Sequence, residues 1–169
     1  MTNLQKGLLL AAVQLALVAS LAGKYAIDRA RLPRVWVQTA AYDPSLPIRG
    51  RYVSFRLLVS ADDAYGSSQN LRREIRDVTL NVRDGHLVAN PAVHSTGLHV
   101  NPWTINQGRE VMALMEPVAF FLPEHVVDPS VRRSGEELWV EVTVPKTGPP
   151  RPIRLAIKSG DTFTPLDIR

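Results

Sequence analysis

The chain has 169 residues, 20 Lys+Arg against 16 Asp+Glu, 13 prolines and no cysteine; that length suits one domain with a sizeable core, and the lack of cysteine excludes a disulfide scaffold, a thiolate zinc site and a cysteine nucleophile. The net charge of +4 sits wholly in residues 1–34, where Lys6, Lys24, Arg29, Arg31 and Arg34 stand against Asp28 alone, leaving 15 basic and 15 acidic groups over residues 35–169. A nucleic-acid binder carries its positive footprint on the folded domain, so nucleic acid is not expected as a partner.

From Gly7 to Gly23 no residue is charged, and Leu and Ala dominate. Seventeen helical residues rise about 25 Å, the short end of what crosses a hydrocarbon core of roughly 30 Å. Tyr25, Ala26 and Ile27 extend the span if Lys24 snorkels toward the headgroups. A stretch apolar on every face is unusual for a buried helix in so small a domain. Ser20-Leu21-Ala22 before Gly23 satisfies the small-x-small rule of a cleavable signal. Cleavage there leaves Lys24 and three arginines at the start of the mature chain, which hinders export. The reading is an uncleaved single-pass anchor in a lipid bilayer. Lys24, Arg29, Arg31 and Arg34 are the candidate membrane-surface residues, through contact with anionic headgroups. Counted strictly, these cations place the remainder of the chain in the cytoplasm; the short tail and signal-like layout argue for the opposite side.

All 13 prolines lie at or after Pro33, and with eight glycines they cut this region into short segments. Val35–Thr39 reads as a first strand. Arg51–Val59 reads as a second, with Val53, Phe55, Leu57 and Val59 on an apolar inner face. The loop Ser60–Asn70 follows. Asp77–Arg83 alternates, with Val78, Leu80 and Val82 inward, and Asp84-Gly85 supplies a hairpin turn into His86–Ala89. Val111–Leu114 and Val118–Leu122 are two more strands, separated by Glu116-Pro117. Leu138–Val144 alternates again, and Ile153–Ile157 closes the series with Ile153, Leu155 and Ile157 inward. Asn70–Arg76 and Glu124–Arg133 hold at most a helical turn or two. The fold expected is mainly β: an anchor helix and basic linker over residues 1–34, then one antiparallel β sandwich or small barrel of seven or eight strands over residues 35–169.

A search for chemistry finds no reaction centre. His86, His94, His99 and His125 form no HxH or HExxH arrangement and read as partly exposed polar side chains. Asp62-Asp63 lacks the ligand spacing of a calcium loop. There is no GxSxG elbow, P-loop or GxGxxG. Leu114-Met115-Glu116-Pro117 resembles the Ser-Met-x-Pro of membrane signal peptidases, but Leu114 stands where the nucleophilic serine belongs. Neither cofactor, metal nor catalytic residue is expected. The enzyme alternative is a hydrolase built from His and Asp/Glu groups that converge in the fold.

Three stretches in order resemble the bacterial GDYXXLXY family of small membrane-anchored proteins. The first is the apolar segment leading through arginines into Val35-Trp36-Val37. The second is Ala41–Leu57, similar to the family's Val-Asp-Pro-Arg-Asp-Leu-Phe-Arg-Gly-Asp-Tyr segment. The third is Glu116–Glu124, similar to its Tyr-Phe-Val-Pro-Glu stretch, with Leu138–Val144 and Arg151–Gly160 as the closing hairpin. In the naming motif Gly50 and Tyr52 match, whereas Arg51 replaces Asp, Phe55 replaces Leu and Leu57 replaces the final Tyr. The resemblance implies a single-pass protein of the bacterial inner membrane, working beside a multi-pass membrane partner with its β domain extracytoplasmic. It brings no established reaction with it. Arg49, Gly50, Arg51, Tyr52, Phe120, Phe121 and Glu124 are the candidate binding residues. Tyr52 pairs with one of Phe120 or Phe121 in a surface aromatic patch, because neighbours in a strand point to opposite faces. The expected role is a non-catalytic module that binds or supports another membrane or envelope component.

Overall fold

The N-terminal segment forms one helix, α1 (Asn3–Arg31), in a computed structural model that describes residues 2–41, 52–61, 76–105, 108–126, 128, 129, 133 and 135–168. A capping box starts it: Thr2 Oγ1 accepts from the Gln5 amide at 3.4 Å, and Gln5 Oε1 accepts from the Thr2 amide at 2.8 Å. It stops because Pro33 disfavours helical backbone at the residue before it, and Leu32 is extended at φ −70, ψ 148. Its 29 residues measure about 43 Å, more than the roughly 30 Å of a hydrocarbon core. The helix is long and apolar enough to cross a membrane. A lone helix cannot cover its own side chains, and Leu8, Leu10, Leu15, Leu17 and Val18 are all exposed.

The chain divides into two compact units, Met1–Leu32 and Pro33–Arg169. Among the described residues the second contains ten strands: β1 (Arg34–Ala41), β2 (Tyr52–Ala61), β3 (Arg76–Arg83), β4 (His86–Pro91), β5 (His99–Thr104), β6 (Glu110–Leu114), β7 (Val118–Phe121), β8 (Glu136–Thr143), β9 (Arg151–Ser159) and β10 (Thr162–Pro165). They hydrogen-bond in the order β10-β9-β8-β1-β2-β4-β3-β5-β6, with β7 on β2 and β6 also reaching β2. Every pairing is antiparallel except β2 with β4. The chain is thus mainly β, and β2, β4, β3, β5 and β6 close on themselves in a small barrel-like ring.

One core fills both parts. Val53, Phe55, Leu57 and Val59 of β2 join Val35 and Val37 of β1, Val78 and Leu80 of β3, and Leu138, Val140 and Val142 of β8. Those of β2, β3 and β8 are the positions that alternation assigns to one face. Leu58 points the other way yet is buried, in a smaller cluster with Ala40 and Ala113 against Trp103, Ile105 and Val111. The β3–β4 turn is as expected: Asp84 and Gly85 have φ of 50° and 75°, the left-handed pair of a type I′ hairpin.

Two strands escape the sequence reading. β5 carries Pro102, which ordinarily argues against a strand. Among the described residues β3 pairs with His99 and Val100 alone, and Pro102 pairs with Met112 of β6. β10 is four exposed residues beside β9, too short to show a period. The last strand also differs in detail. Between Glu141 and Val142 the β8–β9 register skips Ile153, a bulge that leaves Ile153 half-buried while Leu155 is fully buried. β1 opens at Arg34, so the linker ends one residue before the expected boundary. Asp62, Asp63, most of Ser60–Asn70 and most of Asn70–Arg76 lie outside the described residues, as does part of Glu124–Arg133. Arg76 itself opens β3.

Phe55 is 1% exposed and Phe121 73%, so their truncations should separate. Phe55→Ala is expected to cost about 3–5 kcal/mol, and Phe121→Ala no more than about 0.5 kcal/mol. Urea denaturation of the full chain in detergent reads this by tryptophan fluorescence, since Trp36, Trp103 and Trp139 all lie in the β domain.

Candidate functional site

Three side-chain constellations stand out on the β domain. The first joins Asp77 of β3, His99 of β5 and Glu116, two residues past β6. Asp77 and His99 are direct cross-strand partners. His99 Nε2 lies 3.4 Å from Asp77 Oδ1, and Nδ1 lies 2.8 Å from Glu116 Oε1. The other Glu116 oxygen accepts the His99 backbone amide at 3.0 Å. Asp77 Oδ1 also accepts from the Thr96 amide at 3.2 Å and from the Ser95 hydroxyl at 3.4 Å. Thr96 Oγ1 in turn donates to the Val78 carbonyl at 2.7 Å.

The electrostatics follow from these contacts. The hydrogen bond to Glu116 lifts the His99 pKa above its ordinary 6.5, against the pull of desolvation, with the charges of Glu116 and Asp77 adding to the rise. Burial pushes the Asp77 carboxyl up, but hydrogen bonds from Thr96 and Ser95 and the nearby His99 outweigh it and hold the group below its ordinary 3.8. Chemically the arrangement is a clamp. Both ring nitrogens face carboxylates, Nδ1 through a hydrogen bond to Glu116 and Nε2 through an ion pair with Asp77. The neighbouring hydroxyl, Ser95, bonds to Asp77 rather than to the ring. A nucleophile–base pair requires the hydroxyl on the histidine.

The second constellation lies on the outer face of β1, β8, β9 and β10. Trp36 and Trp139 occupy outward positions of β1 and β8, and Phe163 of β10 meets both edge-on, with centroids 4.9 and 6.1 Å away. Arg154 sits 5.7 Å from the Trp36 ring centre and Lys158 5.4 Å from that of Trp139. The acids are paired as well. Glu141 accepts from Arg154 Nε at 2.7 Å, which raises the guanidinium pKa further, and Glu137 accepts from Trp139 Nε1 at 3.0 Å. These rings and charges satisfy one another across the sheet.

The third is the aromatic patch. β7 pairs with β2 so that Tyr52 faces Phe121 and Val53 faces Phe120. The Tyr52 and Phe121 rings lie 6.4 Å apart. Phe121 is exposed, whereas Phe120 turns inward and packs half-buried against the core. Of the candidate binding residues, then, Tyr52 and Phe121 meet on the surface, Phe120 does not join them, and Glu124 is exposed in the turn after β7. Arg49, Gly50 and Arg51 lie outside the described residues. Among the membrane-surface candidates, Lys24, Arg29 and Arg31 occupy the C-terminal part of α1, while Arg34 is the first residue of β1.

His99 escaped the sequence reading because its partners stand 22 and 17 residues away, and neither spacing belongs to any local motif. The tryptophans left a fainter signal, a large ring between inward valines in Val35-Trp36-Val37. No group of three or more metal-ligating side chains occurs among the described residues. No protein-family model matches the chain, and neither a curated protein nor a solved structure matches it.

Phe163 is the ring shared by both tryptophans. Each aromatic pair is worth about 0.5–1.5 kcal/mol, so Phe163→Ala is expected to lower stability by about 1–3 kcal/mol. Trp36 and Trp139 then gain solvent, and a red shift of the emission checks it.

Proposed function

We propose that this protein is a single-pass, membrane-anchored β module that binds another membrane or envelope component without performing catalysis. The observation that carries the reading is the Phe121 ring, exposed on β7 and paired across to Tyr52. This aromatic pair is taken as the anchor of a contact surface, since aromatic rings are enriched among residues that carry binding energy. β7 pairs with β2 alone among the described residues, so one of its edges also offers backbone donors and acceptors to a partner strand. The clamp at His99 agrees with a structural use of that histidine, held between two carboxylates.

The helix supports attachment to a bilayer, with Lys24, Arg29, Arg31 and Arg34 at the lipid surface. The resemblance to the GDYXXLXY family supports the bacterial inner membrane, an extracytoplasmic β domain and a multi-pass partner. The flanking cations oppose that orientation, and reporter fusions after residue 169 discriminate the two sides.

The binding reading is tested by a photo-crosslinking amino acid at position 121 in intact cells. Adducts to an integral membrane protein are expected, together with loss of the co-purifying partner in a Phe121→Asp variant that stays folded. Recovery of the protein alone, under mild detergent and crosslinking, overturns the proposal.

A further inference from the structure

The ring of β2, β4, β3, β5 and β6 has a seam where the hairpin β3–β4 meets the hairpin β5–β6. Among the described residues its ladder has two rungs, Arg76 with Val100 and Asp77 with His99. The imidazole therefore stands where the two hairpins join. It bridges Asp77 on β3 and Glu116 on the turn leading to β7, at 3.4 and 2.8 Å.

Ionised carboxylates only accept hydrogen bonds, and a neutral imidazole carries one N–H where an imidazolium carries two. The Nδ1 bond to Glu116 and the ion pair of Nε2 with Asp77 are both favourable only for the doubly protonated ring. The Nδ1 proton is the more firmly held, because it is hydrogen-bonded to Glu116 at 2.8 Å, whose second oxygen is fixed by the His99 amide at 3.0 Å, whereas Nε2 has only an ion pair with Asp77 at 3.4 Å. The proton lost first is the one on Nε2, and it leaves to solvent, since the three side chains are about one-third exposed: 34% for His99, 29% for Asp77 and 31% for Glu116. The bare Nε2 lone pair then faces the Asp77 carboxylate.

We propose that His99 is a proton-operated latch: the imidazolium ties β3 to β5, and loss of the Nε2 proton turns the Asp77–His99 rung from attraction to repulsion. The charged groups acting on the ring are Glu116 from the β6–β7 turn and Asp77 from β3. The loop between β4 and β5 contributes Ser95 and Thr96, both uncharged and both bonded to Asp77.

The direction follows from linkage. The His99 contribution is complete below the ordinary 6.5 and is lost as pH rises through the elevated folded value. The Asp77 contribution is complete above the ordinary 3.8 and is lost as pH falls through the depressed folded value. The latch is tightest between those two ordinary values, in mildly acidic solution, and loosens toward alkaline pH.

The test uses the full chain in detergent micelles. Nitrogen NMR of the histidine rings is followed across neutral pH together with hydrogen exchange of the Val78 amide, which crosses the seam to the Leu98 carbonyl at 2.9 Å. His99→Gln assigns the resonance. Expected are a His99 midpoint above 6.5 and a neutral tautomer protonated on Nδ1. The Val78 protection factor, corrected for intrinsic exchange, should fall about tenfold through that midpoint. Asp77→Asn keeps an acceptor for the Thr96 amide but removes the charge, and it should abolish most of this fall. A midpoint at or below the ordinary value, a neutral tautomer protonated on Nε2, or Val78 protection unchanged through the midpoint overturns the proposal. The wild-type titration decides it without any variant.

Discussion

Everything in the β domain depends on β2, a strand with two edges and four neighbours. On one edge β1 covers Phe55 to Leu57 and β4 then takes Ser60 and Ala61; on the other, β7 covers Tyr52 to Phe55 and β6 takes Leu58 and Val59. Ten residues extend about 33 Å, long enough to seat partners in tandem. The same strand thereby belongs to the open sheet through β1 and to the ring through β4 and β6. Its side chains meet the demand. Val53, Phe55, Leu57 and Val59 line the shared core, and near the ring Leu58 is buried on the opposite face too, as befits a strand covered on both sides. A slip of one residue would turn Ser54 and Arg56 into the core and put Phe55 and Leu57 outside, so the register of both sheets is fixed at this strand.

The charge distribution acquires a physical meaning from the same architecture. Within the β domain, residues 35–169 carry equal numbers of basic and acidic groups, and some of them pair: Glu141 with Arg154 across β8 and β9, and His99 between Asp77 and Glu116. Its core is drawn from its own strands. The N-terminal unit has neither feature. Its helix is apolar over most of its length, long enough to cross a membrane, and keeps its excess cations in the last turns.

What was legible in the sequence was what depends on neighbours along the chain. Period-two alternation marks the inner faces of β2, β3 and β8, and Asp84-Gly85 marks the turn between β3 and β4 by its backbone preference alone. Alternation also required that Tyr52 meet only one of Phe120 and Phe121, though which one depends on how β7 registers against β2. What was illegible depends on partners far off in the chain. Pro102 disguises β5 until its pairing with Met112 of β6 is known. Glu141 looked like an outward charge and is 7% exposed, because Arg154 reaches it from the next strand. No spacing rule joins Asp77, His99 and Glu116, since their meeting follows from the closure of the ring.

The interruption between β6 and β7 shows how one local irregularity serves both the clamp and the surface. These strands follow the same edge of β2, yet from Ala113 to Val118 the chain advances five residues while β2 moves only from Leu58 to Phe55. Two residues are therefore extra, and Pro117, with no amide hydrogen to donate, sits among them. Regular alternation after Met112 and Leu114 would have turned Glu116 toward the core. Displaced by the interruption, its carboxylate reaches His99 instead. Because the excess is even, alternation resumes in phase: Val118 returns to the core, Phe120 leans on it, and Phe121 faces water beside Tyr52. An excess of one would have exchanged Phe120 and Phe121 and left Val118 exposed. The clamp residue and the exposed ring are thus set by a single count of residues between two strands.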